Sequence, residues 1–271
     1  MMNTLRYFDT HSHYDDGRFD ENRDELLTRL FAEDVTCIVG AATTTKDSAT
    51  HLARAEKYPC YYASAGVHPG NIYEQMEISD LAGTMKKLRE LLAHPKAVAI
   101  GEIGLDYYWE DNPPREMQKE WLHAQLSLAE ELGKPVIIHD REAHGDVFDV
   151  LLAHPNVKGV LHSCSASPEM VKDLVRRGWY ISFSGVITYK NAARVLEAVK
   201  VVPDDRILIE TDCPYLSPVP MRGKTNHSGN LVSTCAKAAE LRGMDAEAFA
   251  RLTHANACKL FGIEDDYDHH L

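Results

Sequence analysis

Eight short runs rich in Val, Ile, Tyr, Phe and Ala recur along the 271-residue chain, each bounded by Gly, Pro or polar residues. They are Arg6–Thr10, Thr36–Ala42, Tyr61–Gly66, Ala97–Glu102, Pro135–His139, Val157–His162, Trp179–Ser184 and Arg206–Asp212. Runs of this kind read as strands. Between them the hydrophobic period lengthens to that of helices. Glu21–Glu33 places Leu26, Leu27, Leu30 and Phe31 on one face, and Asp80–Ala93 and Arg115–Leu132 repeat the pattern. Val147–Leu152, Met170–Val175 and Ala192–Val199 are shorter, and two more, Leu231–Leu241 and Ala246–Leu260, follow the last strand. Strands alternating with helices imply a parallel sheet. Eight such units favour a closed (β/α)8 barrel with C-terminal helices over an open doubly wound sheet. Neither a G-x-G-x-x-G fingerprint nor a P-loop sequence is present, which weakens the nucleotide-cofactor classes. One domain is expected over residues 1–263, followed by an acidic polar tail at 264–271.

Charge narrows the function. The net charge is −12, which argues against a broad electrostatic grip on duplex nucleic acid, because phosphates are neutralised by Lys and Arg. A small phosphate pocket remains compatible with it. The longest apolar runs, such as Pro135–Ile138, are far too short to span a bilayer. Met1–Phe8 lacks the apolar stretch of a signal peptide, so a cytoplasmic location is expected. No sequence feature sets the oligomeric state, and a monomer is the expectation carried. The six cysteines form no C-x-x-C pair and read as reduced thiols.

The chain holds 14 histidines, so their placement matters. The first strand runs into Asp9-Thr-His11-Ser-His13. Residues two apart on a strand face the same side, so both imidazoles can enter one cavity, with Asp9 behind them as an orienting carboxylate. Glu102 is expected to close the fourth strand, His139 the fifth, His162 the sixth and Asp212 the eighth, with His68 just past the third. Strand ends form the catalytic rim of a parallel barrel. Four imidazoles and two carboxylates suffice for two divalent cations, with Glu102 as a bridge. Mixed nitrogen and oxygen donors suit Zn, Mn, Co or Ni, and Mg where water fills its shell. Glu210 shares a face with Asp212 and reads as a partner behind the ligands. Tyr107, Tyr108 and Trp109 suit either base stacking or loop packing. His51, His94, His123, His144, His154, His227 and His254 read as surface or packing residues, and His269 and His270 as part of a solvated tail.

These motifs together resemble the TatD-type metal-dependent deoxyribonucleases, within the amidohydrolase-like TIM barrels. The resemblance rests on Phe8-Asp-Thr-His-Ser-His13, Gly66-Val-His-Pro69, Gly101-Glu-Ile-Gly-Leu-Asp106, Lys134-Pro-Val-Ile-Ile-His139, Leu161-His162-Ser and Ile209-Glu-Thr-Asp-Cys-Pro-Tyr-Leu-Ser-Pro218, with Val219-Pro-Met-Arg-Gly-Lys224 after it. It covers residues from about 5 to 262. It implies hydrolysis of DNA phosphodiesters, often 3′→5′ on single strands; the modest basic content fits a small footprint at the 3′ end. By position, His11 and His13 would hold one cation with Glu102 and Asp212, and Glu102, His139 and His162 the second. Two segments depart from the family pattern: Ser163-Cys-Ser-Ala166, where an aromatic residue is usual, and His227-Ser228, where Glu-Pro is usual.

The expected catalytic residues are Asp212, as general base or water orienter, and Glu102. Arg222 and Lys224, after the eighth strand, would neutralise phosphate charge, and His68 would face substrate. Mg is the expected cation in the cell. Two rivals are carried: a barrel hydrolase of esters, lactones or aminoacyl-tRNA, and a non-catalytic metal-binding scaffold.

Overall fold

Strand residues are buried along nearly their whole length. Tyr7–Ser12 (β1), Val35–Gly40 (β2) and Ala97–Asp106 (β4) have no exposed position. That pattern is required of parallel strands covered on both faces. The computed structural model describes residues 5–33, 35–265 and 267. His269, His270 and most of the expected tail lie outside the described residues. The other strands are β3 (Tyr61–Ala65), β5 (Val136–Arg141), β6 (Gly159–Leu161), β7 (Tyr180–Phe183) and β8 (Ile207–Ile209). They form an eight-stranded sheet in the order β1 to β8. The resolved ladders are parallel. This sequential order is the (β/α)8 arrangement expected from the sequence. All eight strands fall on the eight apolar runs.

By internal packing the chain divides into two compact units. One contains the residues up to Gly40 together with those from His162 onward, and the other is Ala41–Leu161. In the first unit, helix α1 (Arg23–Glu33) precedes β2, α7 (Pro168–Arg176) precedes β7 and α8 (Ala193–Val201) precedes β8. Two C-terminal helices follow, α9 (Leu231–Arg242) and α10 (Ala246–Phe261). Asp245 starts α10 by accepting from the Glu247 and Ala248 amides, and Gly262 ends it at φ 65°. Helix α10 packs on β1, β8 and α9. His254 is fully buried against Phe8 and Tyr267, and so is a packing residue.

In the second unit, helices α2 (Thr45–Lys57), α3 (Ile72–Ile78), α4 (Leu81–Leu92), α5 (Arg115–Leu132) and α6 (His144–Ala153) surround β3 to β6. Helix α5 buries Trp121, Leu122, Leu126 and Leu128, and two glutamines besides. Gln125 accepts from the Val67 amide at 2.7 Å and donates to the Val67 carbonyl at 3.1 Å. Gln118 holds the amide and carbonyl of Asp106 in the same way, at 2.8 and 3.0 Å. Buried amide side chains with all their groups paired fix the backbone they hold. Helix α5 therefore sets the chain leading into His68 and the end of β4. Among the described residues no helix is long and apolar enough to cross a membrane.

Candidate metal centre

Beyond Ile209 the chain continues alongside β1. The Asp212 amide donates to the His11 carbonyl at 3.0 Å, and the His13 amide to the Cys213 carbonyl at 2.7 Å. A parallel bridge joins Ser12 to Cys213. Asp212 lies past the end of β8 with φ 57°, a left-handed conformation that Asp tolerates better than most residues. The turn aims its carboxylate at the imidazoles. His11 Nε2 is 3.1 Å from His13 Nε2, His13 Nε2 is 3.3 Å from Asp212 Oδ1, and His11 Nε2 is 3.6 Å from Asp212 Oδ1. Donor atoms each about 2.1 Å from one cation, at tetrahedral or octahedral angles, stand about 3.0–3.4 Å apart. The group therefore fits a divalent cation. Burial alone would raise the Asp212 pKa, but the hydrogen bond with His13 and the neighbouring imidazole charges outweigh it and hold the carboxyl below its usual range.

His162 belongs to the same unit. Its ring stacks on that of His11, with centroids 4.0 Å apart and planes at 11°. Its Nδ1 is 3.1 Å from Glu210 Oε1, which also accepts from the Ser163 amide at 2.7 Å. A proton on Nδ1 shared with a carboxylate leaves Nε2 with its lone pair, the usual arrangement behind a metal-ligating histidine. Asp9 has a different part from the one expected. Its Oδ1 accepts from the Thr211 amide at 2.9 Å, and its Oδ2 from the hydroxyls of Thr211 and Ser228 at 2.5 and 2.7 Å. It anchors the segment after β8 rather than an imidazole, and burial pushes its pKa up to about 6.

In the second unit His68, Glu102 and His139 come together, each offering a donor atom within 4.8 Å of the others. Glu102 does not close its strand, since β4 runs on to Asp106. The pairing with β5 shifts between Ile100 and Ile103, so strict alternation does not carry through Glu102. The extension adds an acid to which the sequence reading gave no role. His139 stands between two carboxylates, with Nδ1 2.8 Å from Glu102 Oε1 and Nε2 3.2 Å from Asp106 Oδ2. Burial would raise the Asp106 pKa, but the hydrogen bond and charge of His139 bring it below the usual value. The signal for Asp106 was its place in Gly101-Glu-Ile-Gly-Leu-Asp106, four residues past Glu102. His68 Nδ1 accepts from the Gly70 amide at 3.0 Å, which puts the proton of the neutral ring on Nε2. That Nε2 lies 3.9 Å from Glu102 Oε1. His68 is thus built to donate a hydrogen bond.

Of the remaining candidates, Arg222 and Lys224 line a cleft of about 520 Å³ in the first unit. Tyr107 is engaged in packing, its hydroxyl donating to Asp146 at 2.8 Å beneath the Arg115 guanidinium. Tyr108 and Trp109 are half exposed and lie edge to face, with Arg141 4.1 and 5.3 Å from their ring centres.

Comparison with known proteins identifies the family. The family profile described as TatD related DNase matches residues 8–262. An uncharacterized metal-dependent hydrolase of Bacillus subtilis, YabD, is 40% identical over 258 residues, covering 94% of this chain and 99% of its own length. A protein of Escherichia fergusonii named 3′-5′ ssDNA/RNA exonuclease TatD is 34% identical, covering 94% and 99% respectively. The crystal structure of YjjV, a TatD homologue from Escherichia coli K12, superposes with a TM-score of 0.87 at 32% identity over 96% of this chain and 100% of that one. The (β/α)8 fold class is thereby established. The chain belongs to the TatD-related DNase family and is one of its metal-dependent hydrolases.

Proposed function

We propose that this protein is an exonuclease that removes nucleotides from the 3′ end of single-stranded DNA. In this reading two divalent cations are held by His11, His13, Glu102, His139, His162 and Asp212, with Mg the working ion in a cytoplasmic monomer. The observation that carries the proposal is the His11–His13–Asp212 group, whose donor spacings of 3.1 and 3.3 Å are those of a cation's coordination shell, with the third, 3.6 Å, slightly beyond it. The exonuclease name of the Escherichia fergusonii relative supports nucleic acid as the substrate.

Divalent cations, when bound, neutralise phosphate charge and make water a better nucleophile at neutral pH. The side chains supply the rest. Asp212 is held ionised, so it orients water and accepts its proton. Glu102 is the second catalytic carboxylate, with His139 anchored between it and Asp106. His68 Nε2–H donates to a phosphate oxygen. Tyr108 and Trp109 offer an exposed aromatic face, stiffened by Arg141, on which a base can stack.

The test is hydrolysis of a 5′-labelled single-stranded oligonucleotide by protein stripped with chelator and reloaded with Mg, Mn or Co. A lactone panel and aminoacyl-tRNA are run in parallel. A ladder shortening from the 3′ end is expected. Asp212→Asn, which keeps a residue tolerant of left-handed backbone, should lower the rate about 10²–10⁴-fold. Lactone or aminoacyl-ester turnover without nucleotide release overturns the nuclease reading. Inertness on every substrate with all three metals favours a scaffold.

A further inference from the structure

The cleft holding Arg222 and Lys224 has features that the hydrolytic groups do not explain. Its lining includes Arg18, Tyr189, Ser217, Arg222, Gly223 and Lys224. About 520 Å³ is within the range of small-ligand sites. Two arginines lie on aromatic rings at its walls: Arg222 is 4.2 Å from the centre of the Tyr189 ring and Arg18 is 4.4 Å from that of Tyr215. Arg18 is neutralised by Asp16, with Nε to Oδ1 and Nη2 to Oδ2 each 3.0 Å. No such acid offsets the other two cations: among the described residues, neither Arg222 nor Lys224 makes an ion pair. A chain of net charge −12 thus presents two uncompensated cations in one cleft.

The main chain carrying them is braced. Asn226 Nδ2 donates to the carbonyls of Thr211 and Tyr215 at 3.0 and 2.7 Å, and the Asn226 amide donates to Pro214 O at 3.1 Å. The Ser217 hydroxyl donates to the Lys224 carbonyl at 2.6 Å, and that of Tyr189 to the Ser217 carbonyl at 3.0 Å. The backbone is fixed while the charged side chains stay exposed. The cleft also adjoins the His11–His13–Asp212 group, because the Tyr215 ring against which Arg18 stacks lies 6.1 Å from that of His13.

We propose that this cleft is a second phosphate site, in which Arg222 and Lys224 hold the backbone phosphate of a nucleotide next to the one being cleaved, between the Arg222–Tyr189 stack and Arg18, which rests on Tyr215. The proposal rests on the nuclease reading above and adds a substrate rule: the preferred substrate carries at least one phosphate besides the scissile one. Stacked, aromatic-backed guanidinium groups suit a flexible single strand, whose bases are free to lie against them.

Steady-state hydrolysis of a single-stranded pentathymidylate by the Mn-loaded chain tests it, with KM followed as a function of salt. Arg222→Ala/Lys224→Ala should raise KM about 10–100-fold, leave kcat within a few-fold, and flatten the dependence of log KM on log salt by about one unit per lost contact. The charge-conserving Arg222→Lys/Lys224→Arg should recover most of the affinity and the salt slope. Wild type should also prefer the pentamer over thymidine 5′-p-nitrophenyl phosphate, which has one phosphate only, and the Ala pair should lose that preference. If wild type degrades the pentamer and the Ala pair matches it in KM and salt slope, the second phosphate site is overturned and the nuclease reading stands. If wild type releases no nucleotide, both fall.

Discussion

The candidate ligand His162 is held by the carboxylate that stands behind it. Its Nδ1 meets Glu210 at 3.1 Å, and the same carboxylate oxygen holds the Ser163 amide, so ring and turn are fixed together. Glu210→Gln removes the charge while keeping the shape. We expect metal affinity, measured by calorimetric titration of the chelator-stripped protein, to fall about 10–100-fold while the circular dichroism spectrum is unchanged. Unaltered affinity would remove His162 from the ligand set. Asp9 makes a separate prediction through pH. Its folded-state pKa of about 6 lies above the ordinary carboxylate value of 3.8. A raised carboxyl favours the folded state while protonated, and that advantage is lost as pH rises through 6. In chelator, the wild type should therefore lose stability relative to Asp9→Asn between pH 4 and 7. A shift of about two units corresponds to roughly 3 kcal/mol, read from urea midpoints. Parallel pH profiles of the two proteins would refute it. The sequence named the ligand candidates because imidazoles and carboxylates at strand ends are visible as letters. It could not show that Asp9 is consumed by Thr211 and Ser228, since those partners lie some 200 positions away and only the fold brings them near.

Among the elements, the clearest readings came where large apolar residues dominate the buried face. Helix α5 was predicted at its observed ends because leucines and Trp121 mark its face and Gly133, at φ 62°, stops it. Helix α2 went unread because its buried side is Thr45, Ser48, His51, Leu52 and Ala55, small or polar residues that leave little hydrophobic period. Strand β4 was read four residues short. The glycines at 101 and 104 look like breakers, yet both are forced by close packing. A Cβ on Gly104 would lie 1.9 Å from the His139 carbonyl oxygen, and its φ is +152°. Gly104→Ala should therefore push β5 away just where His139 leaves it. We expect a loss of roughly 3 kcal/mol or more in unfolding free energy, with a matching fall in Tm. A variant as stable as wild type would mean that β4 and β5 yield there more easily than their geometry allows.

For the whole molecule, the cation should be a structural element as well as a reagent. A site that binds only the folded chain adds about 4 kcal/mol at a thousandfold excess over Kd. For a chain of this size that is about 10 °C in Tm. Chelation should lower the melting temperature by such an amount, and His11→Ala/Asp212→Asn, which disables one of the two proposed cation positions, should shrink that response to chelator. A melting curve indifferent to metal in the wild type would contradict the ligand assignment. The division of the chain carries a further consequence for how the protein is made. Ala41–Leu161 is one uninterrupted stretch, whereas the other unit joins β1 and β2 to everything from His162 onward. A nascent chain can complete the first of these while the second has only its opening two strands. His11 and His13 then leave the ribosome long before Asp212 is translated, and β1 gains the cover of α9 and α10 only after Asp212 has been made. A chain stalled before Asp212 carries the two imidazoles without the carboxylate that completes the candidate group.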